Sequence, residues 1–232
     1  MVANRPTLIL FARAPIAGEV KTRLAATIGA AGAARLYRAF LEDAARVYAG
    51  PGWTPVLYAD LDPDAPSLAS LFGAPWRREA QATGDLGRRL AEAFRAEFAR
   101  GASVALAVGS DHPALARRCL DELLDALSRG NDASLIPARD GGYCAIALSS
   151  RAEPEAAFDG IPWSSPDTFA KTLGRLKERG LSVAVLASAY DVDRPEDLDL
   201  LREDLARRDP GGDDFPRSTA AALANLAAEL TG

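Results

Sequence analysis

The apolar positions of this chain form short continuous runs, separated by longer stretches in which they recur every three or four residues. Thr7 to Ala12 (TLILFA), Thr54 to Ala59 (TPVLYA) and Ser103 to Val108 (SVALAV) are runs of the first kind. Such runs suit strands covered on both faces, as in a largely parallel sheet. Ala133 to Pro137 and Tyr143 to Leu148 flank Arg139-Asp140-Gly141-Gly142, whose Asp-Gly-Gly signals a hairpin, and Ser182 to Ala187 predicts a last strand. Between these runs the period changes. Leu86, Leu90, Phe94 and Phe98 make one apolar stripe on a helix that also bears Arg88, Arg89 and Arg95. Leu115, Cys119, Leu120, Leu123, Leu124 and Leu127 make another. Asp193, followed by Pro195 and Glu196, predicts an N-terminal cap before Leu198, Leu200, Leu201 and Leu205. Strands alternating with helices predict an α/β protein of three layers, α/β/α, with a mostly parallel mixed sheet. No repeat interrupts the pattern, and the only linker-like stretch is Asp209 to Asp214, so residues 1–232 read as one domain.

Composition narrows the function. The 232 residues are 48% hydrophobic and 25% charged, with a formal net charge of -5 from 27 basic and 32 acidic side chains. That is the make-up of a soluble globular protein, and it lacks the basic excess of a general nucleic-acid binder. No apolar run approaches the roughly 20 residues that span a bilayer, so membrane insertion is not expected. Met1 to Pro6 lead into the first apolar run without a signal-peptide pattern, which predicts a cytoplasmic protein. Cys119 and Cys144 stand apart from any Cys or His at metal-ligand spacing. His112 is the only histidine, so a Ser-His-Asp or Cys-His enzyme would have to use it. Chemistry here must run mainly on carboxylates and basic residues, a set that also suits a hard metal ion.

Charge is unevenly placed. Residues 191–214 hold ten acidic and four basic side chains, while residues 1–50 hold seven basic and three acidic ones. Most of the acidic stretch reads as a solvated helix face. In open α/β sheets ligands collect beyond the carboxyl ends of parallel strands, and three polar clusters fall at such ends. The first is Arg13 to Leu24, with Gly18, Lys21, Thr22 and Arg23 around a helix start, where backbone N–H groups and cations suit a phosphate. It is neither a Walker A loop nor a Rossmann fingerprint, and an ordinary solvated loop explains it as well. The second is Gly109-Ser110-Asp111-His112-Pro113, where Asp111 either holds Mg²⁺ or Mn²⁺ or caps a helix opened by Pro113. The third is Tyr190 to Leu198, where Asp193 can cap and ligate together. Asp191-x-Asp193 also suggests a haloacid-dehalogenase phosphatase, but the pair comes late in the chain and Arg194 follows it.

Taken in order, Phe11-Ala12-Arg13-Ala14-Pro15, Gly18-x-x-Lys21-Thr22-Arg23-Leu24, Gly84-Asp85-Leu86-Gly87-x-Arg89, Gly109-Ser110-Asp111-x-Pro113, Asp140-Gly141-Gly142-Tyr143, Trp163-Ser164 and Asp191-Val192-Asp193 carry a likeness. Together they resemble a bacterial family of GT-A-fold, glycosyltransferase-like proteins, long known as a domain of unknown function and linked in some cases to arsenosugar biosynthesis. That family is similar in turn to 2-phospholactate and molybdenum-cofactor guanylyltransferases. The resemblance covers nearly the whole chain. It departs in two places: Gly109 stands where GT-A enzymes carry the first aspartate of Asp-x-Asp, and Ala12-Arg13-Ala14-Pro15 replaces the Leu-x-Gly-Gly loop of the nucleotidyltransferases.

The resemblance implies a nucleotide-diphospho-sugar transferase fold and a metal-dependent transferase. Its donor would be a nucleotide sugar or a nucleoside triphosphate, its acceptor a small molecule, and its cofactor Mg²⁺ or Mn²⁺. Arg13, Gly18, Lys21 and Arg23 would embrace the donor phosphates. Gln81, Leu86 and Gly87 would lie where relatives recognise the base. Asp111 and Asp193 would hold the metal and, with Lys21, act in catalysis. Asp140, Gly141, Gly142, Tyr143, Trp163 and Ser164 would line the acceptor side. A nucleotidyltransferase releasing pyrophosphate, and a nucleotide-binding module without turnover, remain alternatives. Oligomeric state is open.

Overall fold

The computed structural model describes residues 5–231. Met1 to Asn4, on which the expectation of no signal peptide partly rests, lie outside them. Seven strands form one sheet: β1 (Thr7–Ala12), β2 (Thr54–Ala59), β3 (Arg77–Ala80), β4 (Val104–Gly109), β5 (Ala133–Pro137), β6 (Tyr143–Ser149) and β7 (Val183–Val185), in the order β3-β2-β1-β4-β6-β5-β7. Only β6 runs against its neighbours, through the β5–β6 hairpin and its pairing to β4. All other neighbours pair in parallel. This is the mostly parallel mixed sheet that the apolar runs imply.

Period-two alternation divides the core between the two faces. Leu8 and Leu10 of β1 point to the face covered by α1 (Thr22–Val47), α4 (Arg117–Ser128), α7 (Pro195–Ala206) and α8 (Arg217–Thr231), where they join Leu36, Phe40, Leu120 and Leu201. Ile9 points the other way, to α3 (Leu86–Ala99), α5 (Pro154–Phe158) and α6 (Thr168–Glu178), and joins Leu90, Phe94, Phe158 and Leu176. The short α2 (Pro66–Ala69) adds Leu68 to the first face. Leu90, Phe94 and Phe98 of the predicted stripe thus form a core seam, while Leu86 at the helix start stays exposed. Asp85 caps its helix, its carboxylate accepting from the Arg88 N–H at 2.8 Å. Among the described residues no helix is long and apolar enough to cross a membrane.

The structure corrects several local expectations. β3 has no apolar signal, because it is an edge strand carrying Arg77, Arg78 and Glu79. Arg77 binds the buried Glu97 and Arg78 reaches Asp64, charges that also keep the edge from pairing with another chain. The run Ser182 to Ala187 yields only a three-residue strand, since β7 pairs with β5 alone and Val185 is exposed. Pro113 opens no helix. A turn closed by Leu115 N–H on the His112 carbonyl intervenes, and α4 begins at Arg117. Asp193 is not the cap of α7 either. Asp197 reaches back from the first turn, accepting from the N–H groups of Asp193 at 2.9 Å and Arg194 at 2.7 Å. Asp111 and Asp193 are therefore both free of helix capping.

Candidate active site

Because six of the seven strands share a direction, their carboxyl ends share an edge. The chain moves from β1 to β2 on one side and returns to β4 on the other, so β1 and β4 part at a topological switch point. The loops leaving those two strands bring Arg13 to Lys21 against Ser110 to His112.

Lys21 is the centre of this junction. It precedes α1 in the left-handed region, φ 48° and ψ 42°, unusual for a residue with a side chain. That backbone turns its side chain inward until only 3% is exposed. Nζ lies 2.5 Å from Asp111 Oδ1 and 2.6 Å from Asp193 Oδ1, and 5.9 and 5.8 Å from the ring centres of Tyr37 and Phe40. Burial by itself would lower the ammonium's pKa, but the two carboxylates outweigh it and the net shift is upward. The lysine is held charged. The carboxylates differ from it in access, with 43% of the Asp111 side chain and 35% of the Asp193 side chain exposed.

The surrounding contacts fix the three loops together. Tyr37 accepts from the Arg13 N–H at 3.0 Å and meets Ser110 Oγ at 2.7 Å, tying the ends of β1 and β4 through α1. The Asp111 carbonyl accepts from Val192 N–H at 2.9 Å, which brings in the third loop. His112 adds a second tie, with Nδ1 at 3.2 Å from the Tyr190 carbonyl. Burial lowers its pKa, so a neutral ring with its proton on Nδ1 suits that contact. The same ring crowds Gly109: a Cβ there would stand 3.1 Å from His112 Nε2, so a first aspartate would require the imidazole to give way by a few tenths of an ångström.

Around this core the cations are set out in order. Arg13 pairs with Asp60, just beyond β2, at 3.3 Å. Gly18 turns at φ 88° with open space around it, and Arg23 is exposed in the first turn of α1. Gln81 is engaged within the protein. Its amide N–H groups donate to the carbonyls of Tyr58 at 2.8 Å and Ala12 at 3.3 Å, and its Oε1 accepts from Arg89 Nη1 at 3.1 Å. Sequence reasoning quoted Arg89 as part of a motif without seeing that Gln81 aims it. It gave no role to Tyr37, which lies inside a helix away from the polar clusters, and it named Ser110 and Asp191 only as motif members. Burial and the adjacent Asp140 carboxylate raise the Asp191 carboxyl.

The residues expected on the acceptor side fall into two groups. Tyr143, Trp163 and Phe158 pack ring against ring, at 6.3 and 6.2 Å between centres, on the sheet face away from Lys21. Gly87, expected beside the base, packs against these rings. A Cβ on it would stand 2.5 Å from Trp163 Nε1 and 2.9 Å from the Phe158 carbonyl. Leu86 beside it remains 36% exposed. Gly87→Ala is expected to push the indole outward, costing about 1–3 kcal/mol. Melting curves and the tryptophan emission maximum check this; an unchanged spectrum at wild-type melting temperature would refute it. Asp140 instead builds its own turn, accepting from Gly142 N–H at 2.9 Å, while the Gly141 carbonyl accepts from Phe169 N–H at 2.8 Å. Ser164 is exposed, in the left-handed region at φ 59°.

As donors to a cation, Asp111 and Asp193 fit a hard dication. Two carboxylate oxygens from distant loops lie within hydrogen-bonding distance of one point, and both side chains are open to solvent. Among the described residues no third His, Cys, Asp or Glu completes a metal-binding group. Mg²⁺ commonly binds one or two carboxylates and takes its remaining ligands from water and substrate phosphates.

A family model described as an uncharacterized protein conserved in bacteria (DUF2064) matches residues 43–165, more than half of the chain. The chain belongs to this family. The match takes in Gln81, Arg89, Asp111 and Asp140, and leaves Lys21 and Asp193 outside it. A structure of a candidate nucleotide-diphospho-sugar transferase from Desulfovibrio desulfuricans G20 superimposes with a TM-score of 0.84 at 27% identity, covering 95% of this chain and 97% of that one. Two more distant structures share the fold. CMP:2-keto-3-deoxy-manno-octonic acid synthetase complexed with CTP gives a TM-score of 0.53 at 13% identity, covering 88% of this chain and 99% of that one. 4-Diphosphocytidyl-2C-methyl-D-erythritol synthase from Anaerococcus prevotii gives 0.59 at 14% identity, covering 88% and 97%. No curated protein matches the chain.

Proposed function

We propose that this DUF2064 protein is a metal-dependent transferase that uses a nucleotide-activated donor, namely a nucleotide sugar, and passes the sugar to a small-molecule acceptor. The observation that carries the reading is the meeting of Lys21, Asp111 and Asp193 at the β1–β4 switch point. The name of the Desulfovibrio structure supports it. Departure of a nucleoside diphosphate builds negative charge on the phosphates, and fixed cations placed where it develops lower the barrier. Lys21 supplies one such charge and Arg13, oriented by Asp60, a second. Arg23 lies in the same basic stretch. Asp111 and Asp193 would hold Mg²⁺ or Mn²⁺, which would supply Lewis-acid stabilisation of the same phosphates. The hydrogen bonds among Arg13, Tyr37 and Ser110 keep the cationic and acidic loops in register. The exposed Leu86 would offer an apolar contact to the acceptor.

A thermal-shift screen tests this. UDP-sugars, GDP-sugars and nucleoside triphosphates are each added with and without Mn²⁺. Ligand at about 100 times its dissociation constant stabilises by about 2.7 kcal/mol, which for a chain of this size raises the melting temperature by roughly 5–10 °C. The expected result is a Mn²⁺-dependent shift with a nucleotide sugar, followed by release of nucleoside diphosphate. Pyrophosphate release from a triphosphate would reassign the protein as a nucleotidyltransferase. Binding without turnover would make it a binding module.

A further inference from the structure

Lys21 sits at the one point where the Asp111 and Asp193 oxygens converge, and a dication bound by the same two oxygens would need that point. Carboxylate oxygens approach Mg²⁺ at about 2.0–2.1 Å, and Nζ already stands 2.5 and 2.6 Å from them. The ammonium is 97% enclosed by protein, so it is no stray surface partner, as its 3% exposure shows. The charges around it add a second constraint. One ammonium and two carboxylates leave the site at a net charge of minus one. A phosphate arriving alone meets that excess. A dication arriving alone meets an ammonium in its place. When both arrive every charge has an opposite partner, the dication on the carboxylates and the ammonium on the phosphates.

We infer that Lys21 is a resident counter-ion, displaced from Asp111 and Asp193 by the dication and taken up by the donor's diphosphate, so that metal and diphosphate each bind well only in the other's presence. The inference rests on the proposed metal site and goes beyond it by assigning the order that the site imposes on its ligands. The geometry allows the exchange. Lysine carries its charge on a flexible four-carbon stem, and the Tyr37 and Phe40 rings flank Nζ on the α1 side with faces that tolerate a cation in transit. Linkage makes the effect reciprocal: whatever factor pyrophosphate adds to metal affinity, the metal adds to pyrophosphate affinity.

The test uses the full chain, with Mn²⁺ and inorganic pyrophosphate as probes. Bound Mn²⁺ is read from the loss of its free electron paramagnetic resonance signal, and a protein-free titration corrects for the Mn²⁺–pyrophosphate complex. Wild type is expected to bind Mn²⁺ weakly alone and at least about tenfold more tightly with pyrophosphate. Lys21→Met is expected to bind Mn²⁺ alone at least about tenfold more tightly than wild type and to lose most of the coupling. Lys21→Gln serves if the Met variant does not fold, and the wild-type coupling stands as a measurement needing no variant. Equal Mn²⁺ affinity in wild type and variant, or independent binding of the two probes to wild type, overturns the inference while leaving the metal site in place. Absence of Mn²⁺ binding to every form, even with pyrophosphate, removes the metal site and the inference with it.

Discussion

Asp111→Ala is expected to give a folded protein whose donor turnover falls about 10²–10³-fold. The carboxylate lies at the mouth of the β1–β4 junction, where it both balances Lys21 and is open to solvent. The fold does not depend on it. Asp111 caps no helix, and the contact that binds its loop to the third cluster is made by its main-chain carbonyl to Val192, which alanine retains. Lys21 keeps Asp193 as a partner, so the buried ammonium is not left bare. Circular dichroism should therefore be that of wild type, with a melting temperature only a few degrees lower, while release of nucleoside diphosphate drops steeply. Asp111→Asn should behave alike, since it keeps size and loses charge. Undiminished turnover in either variant would remove Asp111 from the chemistry.

Gly141→Ala is expected to be the most damaging small substitution for stability, costing about 3 kcal/mol or more. A Cβ at this position would stand 2.1 Å from the Pro166 carbonyl oxygen and 2.5 Å from its Cα, and backbone cannot swing away as a side-chain tip can. The residue is also held at φ 91°, which penalises any side chain. Relief would require breaking the Phe169 N–H bond to the Gly141 carbonyl, which anchors the β5–β6 turn on the start of α6. The melting temperature should fall by roughly 6–12 °C. Gly18→Ala is the control, because that glycine has a similar φ of 88° but nothing within 4 Å of the added carbon. Its cost should be about 1 kcal/mol, the left-handed penalty alone. Equal melting temperatures for the two variants would mean that the contact with Pro166 carries no cost.

Much of the scaffold was legible because burial on both faces of a parallel sheet leaves an unbroken apolar run. β1, β2 and β5 occupy the residues their apolar runs mark out, and β4 and β6 differ from theirs only at the ends. β3 was not legible, since its residues owe their place to ion pairs with Glu97 and Asp64 and not to burial. At the site, strand-end position was enough to single out Lys21, Asp111 and Asp193 one by one. Sequence spacing misjudged Asp193, because Asp197 offers the helix N–H groups an equally short carboxylate from within the first turn. The internal contacts of Gln81 were not legible in the sequence. Its amide faces inward to two carbonyls and to Arg89.

By itself, then, the sequence determined the layered architecture, the common edge of the strand ends and the kinds of charge that gather there, all of which follow from local periodicity and chain order. Only the tertiary structure decided that residues 21, 111 and 193 meet at one ammonium, that Gly87 lies under Trp163, and that His112 crowds the position of a first aspartate. Periodicity says which side of a strand or helix is buried. It carries no information on the distance between two loops about 80–170 residues apart, which is set by how the sheet orders its strands and how the helices pack across it.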